Sequence, residues 1–102
     1  MGLTVALEGE HGEKLAEVED EKNLLHRLLS EDGGTAGICL PFIDWYGDTV
    51  FNRLQMKVFR AEWAGLRNRT ESEAESDLLA AVDELAGRCE QEPHLYLRFY
   101  GD

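Results

Sequence analysis

Cysteine is scarce in this chain. Cys39 and Cys89 stand too far apart in sequence for a CxxC metal or redox pair, which leaves them as small buried hydrophobes. Proline occurs twice, at Pro41 and Pro93, so long stretches are free to form regular structure. No apolar run approaches the ~20 residues of a membrane span, and the start Met-Gly-Leu-Thr-Val-Ala-Leu-Glu lacks the basic region and apolar core of a signal peptide. Cytoplasm is the default compartment on that reading, and the Asn68-Arg69-Thr70 glycosylation pattern is a chance match. There is no glycine-rich phosphate loop and no GxSxG elbow. His11, His26 and His94 have no metal-ligand spacing, so neither a metal nor a cofactor is expected.

Base is also in short supply: ten Lys and Arg face 21 Asp and Glu, for a net charge of −11 on 102 residues. That charge disfavours nucleic acid and anionic membrane surfaces and fits a protein partner with a basic face. It exceeds the magnitude of ~2 to 8 that solubility asks of a small domain. The charge is uneven, at −6 over residues 1–37, +2 over 38–69 and −7 over 70–102. With 43% hydrophobic residues the chain holds enough apolar material for one core, and residues 1–102 are read as a single domain.

Periodicity gives the elements. Leu3, Val5 and Leu7 alternate with Thr4, Ala6 and Glu8, and weaker alternation resumes at Leu15–Val18, which predicts a β-hairpin over 3–19 with Gly9–Gly12 as its turn. Leu24, Leu25, Leu28 and Leu29 predict a short helix near 23–30, capped by Asp20 or Asn23, ending in a loop with Glu31 and Asp32 before Gly33-Gly34. The apolar run from Gly37 to Ile43 reads as a strand that, because of Pro41, either lies at an edge or ends near that proline. A long helix is expected from Asp48 or Thr49, its cap, to Asn68. Phe51, Leu54, Val58, Phe59 and Leu66 would line its core face and Arg53, Lys57, Arg60 and Arg67 the opposite one, with Glu62 a conflict inside the apolar arc. Thr70-Glu71-Ser72-Glu73 reads as a capping box for a helix over 71–91 that buries Ala74, Leu78, Ala81, Val82, Leu85 and Cys89 and stops at Pro93. Leu95, Leu97 and Phe99 alternate as the inward face of a last strand over 94–100. The order ββαβααβ predicts an α+β fold: a small, largely antiparallel four-stranded sheet with an αα-hairpin on one face.

The densest chemistry is Asp44-Trp45-Tyr46-Gly47-Asp48, at a strand-to-helix junction. Two readings stand side by side. Asp48 can cap the helix, Gly47 make a turn, and Trp45 and Tyr46 cover the core end; or Asp44, Trp45, Tyr46 and Asp48 form a partner-binding patch with hot-spot aromatics. The sequence from Ile43 through Gln55 and the ending Glu92–Asp102 resemble small uncharacterised bacterial acidic proteins of about this length, which implies a shared fold and no particular activity. In size and acidity the chain is similar to immunity proteins that neutralise bacterial toxins. The expected function is therefore a protein-binding module, an acidic inhibitor or immunity protein covering a basic site. The alternatives are a homodimeric adaptor joined through Trp45, Tyr46 and Trp63, and a small enzyme using Asp44 and Asp48.

Overall fold

In a computed structural model, which describes residues 2–30 and 37–101, the chain forms an α+β fold whose four strands make one antiparallel sheet. The hairpin is formed by β1 (Thr4–Gly9) and β2 (Lys14–Glu19). Gly9 donates its N–H to the Glu13 carbonyl across the turn, and Gly12 takes the positive φ the turn requires. A register shift between Leu7 and Glu8 leaves Leu15 exposed, while Ala16 and Val18 still reach the core. β4 (Leu95–Tyr100) lies beside β1, and β3 (Asp48–Asn52) beside β4, giving the order β2-β1-β4-β3.

Helices cover one face of this sheet. α1 (Leu24–Ser30) starts where both carboxylate oxygens of buried Asp20 accept the N–H groups of Leu24 and Leu25, each at 2.8 Å. Asp20, not Asn23, is the cap. α2 (Met56–Gly65) and α3 (Glu73–Gln91) pack against each other, and α3 also lies across β1, β2 and β4. Phe59 is the aromatic centre of the core, stacked on Trp63 at 5.3 Å and tilted against Phe51 and Phe99. Trp63 also donates its indole N–H to the Leu79 carbonyl, locking α2 to α3. Among the described residues no helix is long and apolar enough to cross a membrane.

The third strand differs in place from the expectation. Residues 37–43 are not a strand: they form a bend and a 3-10 turn (Leu40–Phe42) with Pro41 in its first turn. Their backbone is held by Glu62, whose carboxylate accepts the N–H groups of Ile38, Cys39 and Leu40 at 2.6, 3.0 and 3.1 Å. The conflict seen at Glu62 is thus a bond to backbone. Gly37, at φ 116°, presses against the same carboxylate, where a Cβ would collide with it. The expected loop at Glu31–Gly34 lies outside the described residues.

The strand comes instead from the start of the expected long helix. Residues 48–52 pair along β4, with Thr49 opposite Phe99 and Phe51 opposite Leu97. Thr-Val-Phe is rich in the β-branched and aromatic types that favour strands, and pairing with β4 overrides the helical spacing of Phe51, Leu54 and Val58. Asp48 and Thr49 are therefore not caps. Asn52 is: its side chain accepts the Gln55 N–H at 3.1 Å and the Gln55 side chain accepts the Asn52 N–H at 2.8 Å, opening a 3-10 turn (Arg53–Gln55) into α2. That later start rotates the helix. Met56, Phe59, Trp63 and Leu66 are buried, whereas Leu54 is 78% exposed and Val58 is exposed. The helix also ends earlier, at Gly65, and continues as a 3-10 turn to Arg69.

In α3 the cap is Ser72, which accepts the Glu75 N–H, not Thr70, whose hydroxyl donates to the Arg67 carbonyl. The buried stripe is Glu75, Leu79, Val82, Leu85, Ala86 and Cys89; Leu78 and Ala81 are half-buried, Leu78 packed against the core, and Ala74 is exposed. Buried Glu75 takes Arg27 of α1 through bonds of 2.7 and 3.0 Å and also accepts the Glu71 N–H. Arg27 holds its carboxyl below the ordinary value of 4.5. Because the folded value lies below the unfolded one, the stability from this contact is full above about pH 4.5 and is lost as the pH falls through the folded value. Urea midpoints of the wild type and of Glu75→Gln should therefore differ most near neutral pH and converge in acid. Replacing Glu62 by Ala frees three backbone donors at once and should cost about 2 kcal/mol by urea unfolding, with Glu62→Gln milder because an acceptor oxygen remains.

Candidate functional site

The segment Asp44–Asp48 crosses the end of the sheet as a turn that its own side chains hold. Asp44 Oδ1 accepts the Tyr46 N–H at 2.9 Å, and the Asp44 N–H donates to Thr49 Oγ1 at 2.8 Å. The Gly47 carbonyl accepts the Gly101 N–H at 2.7 Å, tying the loop to the end of β4, where a Cβ on Gly101 would collide with the Trp45 and Gly47 carbonyls. Trp45 is half-buried against the core and tilts onto His26 of α1 at 5.2 Å between ring centroids. Asp48 Oδ2 lies 3.3 Å from Arg98 Nη1 of β4. Asp44, Trp45 and Asp48 thus each have a position inside the fold. The side chain of Tyr46 does not: the residue is 85% exposed, and no bond to its side chain occurs among the described residues.

Asp48 leads onto the face of the sheet that no helix covers among the described residues, which sequence reasoning did not single out. Glu8 sits there only 4% exposed, although no apolar layer lies above it. Tyr100 donates its hydroxyl to Glu8 in a short hydrogen bond, which pushes the phenol above its ordinary value of 10. Arg98 Nε lies 3.2 Å from Glu8 Oε1 without hydrogen-bond alignment, a charge contact in which Nε itself stays unbonded. Lys14 pairs with Glu17 at 2.7 Å, and both Lys14 and Arg98 approach the Tyr100 ring at about 5.5 Å. The row Glu17, Lys14, Tyr100, Arg98 and Asp48 therefore spans the sheet from edge to edge and shields Ala6 beneath it. Alternating outward positions on β1, β2 and β4 are the signal that could have found it: the register sets Arg98 and Glu17 on either side of Ala6 and diagonal to Glu8, while Tyr100, opposite Thr4, reaches Glu8 along the strand through its long side chain. A shallow depression of about 240 Å³ beside the row, lined by Glu8, Glu10, Val50, Tyr96 and Arg98, is below the ~300 Å³ of an ordinary small-molecule site.

The basic stripe expected on the long helix divides. Arg60 bridges to α3, donating to Asp83 at 2.9 and 3.2 Å and to Glu90 at 2.9 Å, and these carboxylates raise its pKa further. Arg53, Lys57 and Arg67 make no ion pair among the described residues. The expected dimer contact through Trp63 has no surface to use, since Trp63 is 1% exposed. Both thiols are buried, and burial raises Cys39 and pushes Cys89 up to about 11.

Glu73, Asp77 and Glu84 are exposed and make no ion pair among the described residues. At 100° per residue they fall within roughly 40° of one another on the solvent side of α3 and span about 16 Å along it. Glu19 and Glu21, at the end of β2 and just beyond it, are likewise exposed and unpaired among the described residues. Compared with protein-family models, with curated proteins and with solved structures, the chain matches none.

The two loop aromatics separate in a measurable way. Tyr46→Ala should leave the urea midpoint within ~0.5 kcal/mol of wild type, while Trp45→Ala should cost ~2 kcal/mol or more through lost core packing. Equal losses would show Tyr46 packed inside the fold.

Proposed function

We propose that this protein is a binding module for another protein, and that it acts by laying an acidic surface over a basic site on that partner, as an inhibitor or immunity protein would. The observation that carries this reading is the unpaired line Glu73, Asp77 and Glu84 on α3. Of the nearby cations, Arg60 is drawn to Asp83 and Glu90, and Arg88, one turn after Glu84, lies beside Glu92. Arg27, Arg60 and Arg98 are engaged with acids inside the fold, and none of the bases pairs with these three acids among the described residues. Exposed acids in such an array steer encounter with a basic face, and their effect falls as salt screens them.

Within the loop patch of Asp44, Trp45, Tyr46 and Asp48, Tyr46 is the side chain free to enter a partner, with Asp44, Trp45 and Asp48 shaping its presentation. An aromatic anchor of this kind acts on dissociation more than on encounter. Asp44 and Asp48 each hold a bond that maintains the fold, which favours binding over acid–base chemistry as their role.

The test is kinetic. Against a basic partner recovered from the source cell, the triple variant Glu73→Gln, Asp77→Asn, Glu84→Gln should slow association about tenfold or more at low salt and little at 0.5 M, with an unchanged melting temperature. Tyr46→Ala should speed dissociation at every salt concentration. Association indifferent to both the triple variant and salt would refute the acidic-surface reading.

A further inference from the structure

β3 has one bonded edge and one open edge, and three hydrogen bonds identify which backbone groups lie on the open side. The Asp20 N–H donates to the Leu3 carbonyl, so odd-numbered residues of β1 turn to β2 and even-numbered ones to β4. Carried across the sheet, this alternation turns Leu95, Leu97 and Phe99 toward β3 and makes Thr49–Phe99 and Phe51–Leu97 the hydrogen-bonded pairs. The Gly101 N–H reaching the Gly47 carbonyl obeys the same parity, and the Asn52 N–H, turned away onto Gln55 Oε1, confirms the opposite parity for even residues. Val50 therefore points both its N–H and its carbonyl out of the sheet edge. No backbone group among the described residues outside the sheet bonds to it.

We infer that this edge pairs with β3 of a second copy of the chain, antiparallel about a two-fold axis at Val50, joining two four-stranded sheets into one. The register sets Val50 against Val50, Thr49 against Phe51 and Asp48 against Asn52, with no like charges opposed. The Val50 pair exchanges two backbone hydrogen bonds, and its side chains, 44% exposed in the single chain, meet across the axis. The same register brings the Tyr46 end of one copy to the Leu54 end of the other, joining two exposed apolar side chains at each end of the seam. The opposite edge of the sheet is less suited. Antiparallel self-pairing of β2 about Glu17 or Val18 sets Glu17 against Glu17 or Glu19 of the other copy, and the register shift beside Leu15 interrupts pairing about Ala16 or Leu15. Charge opposes this seam least: a two-fold axis sets each segment against its own copy, and residues 38–69, which contain β3, carry only +2, against −6 and −7 for the flanking segments.

Sedimentation equilibrium decides the matter. The wild type should approach twice the 11.5 kDa chain mass as its concentration rises, and the Val50 amide should exchange more slowly with solvent at high concentration than at low. Val50→Lys and Val50→Glu, each at an exposed position, should each sediment at 11.5 kDa alone, and their equimolar mixture should recover the doubled mass, since Lys then faces Glu across the axis. A wild type monomeric to about 1 mM overturns the proposal, as does a dimer that survives both substitutions or a Val50 amide protected only by a different protein. Val50→Lys keeps the acids of α3, so its salt-dependent binding to a basic partner reports on that function separately from dimerisation.

Discussion

The arrangement depends on a single requirement, that both edges of β4 be hydrogen-bonded. β4 carries Leu95, Leu97 and Phe99 into the core and runs through the middle of the sheet, where unpaired N–H and carbonyl groups would be buried at a cost of ~1 to 3 kcal/mol each. β1 satisfies one edge. The other recruits residues 48–52, which helical periodicity alone would assign to the following helix. Everything nearby follows from that recruitment: the cap moves to Asn52, α2 begins at Met56, and Trp63 rather than Leu54 or Val58 turns inward. Phe51, held in the strand, then packs on Phe59 and Phe99. The solution also creates a new edge, so the pairing that completes β4 is what leaves Val50 open.

A second constraint is the shortage of base. Cations that the fold uses are spent joining elements: Arg27 joins α1 to α3, Arg60 joins α2 to α3, and Arg98 joins β4 to Glu8 of β1 and Asp48 of β3. Exposed ion pairs contribute only ~0 to 1 kcal/mol, but the buried Glu8 and Glu75 need their partners, because an unpaired buried carboxylate is strongly destabilising. The acids left over collect on α3 and at the end of β2. Surface acidity here follows from 21 acids facing ten bases, of which Arg27 and Arg98 are committed to the buried Glu75 and Glu8.

What was legible in the sequence follows from how local each cause is. The hairpin, α1, α3 and β4 were visible because alternation, leucine spacing and a stop at Pro93 are written in adjacent residues. The α+β class and its single helical layer followed from those. The third strand was misplaced because its cause is remote: it is chosen by β4, more than forty residues later, over a segment whose apolar spacing fits helix as well. Glu62 looked like a flaw on the helix for the same reason, since its partners are backbone donors of an earlier segment. For the site, Asp44–Asp48 stood out by composition, and the structure divides it into three side chains engaged in the fold and one, Tyr46, that is free. The Glu8–Tyr100–Arg98 cluster was invisible without the register, because its members lie at opposite ends of the chain.

The pairing of residues 48–52 with β4 is the claim on which the rest stands, and proton NMR of the isolated chain tests it directly. Val50 and Arg98 form a non-hydrogen-bonded antiparallel pair, the geometry in which the two Hα protons lie closest across strands. The account predicts a strong Val50–Arg98 Hα–Hα cross-peak, accompanied by one between Asn52 and Tyr96. Helical contacts between residues three apart running from Thr49 into Met56, with no cross-peak to β4, would contradict it.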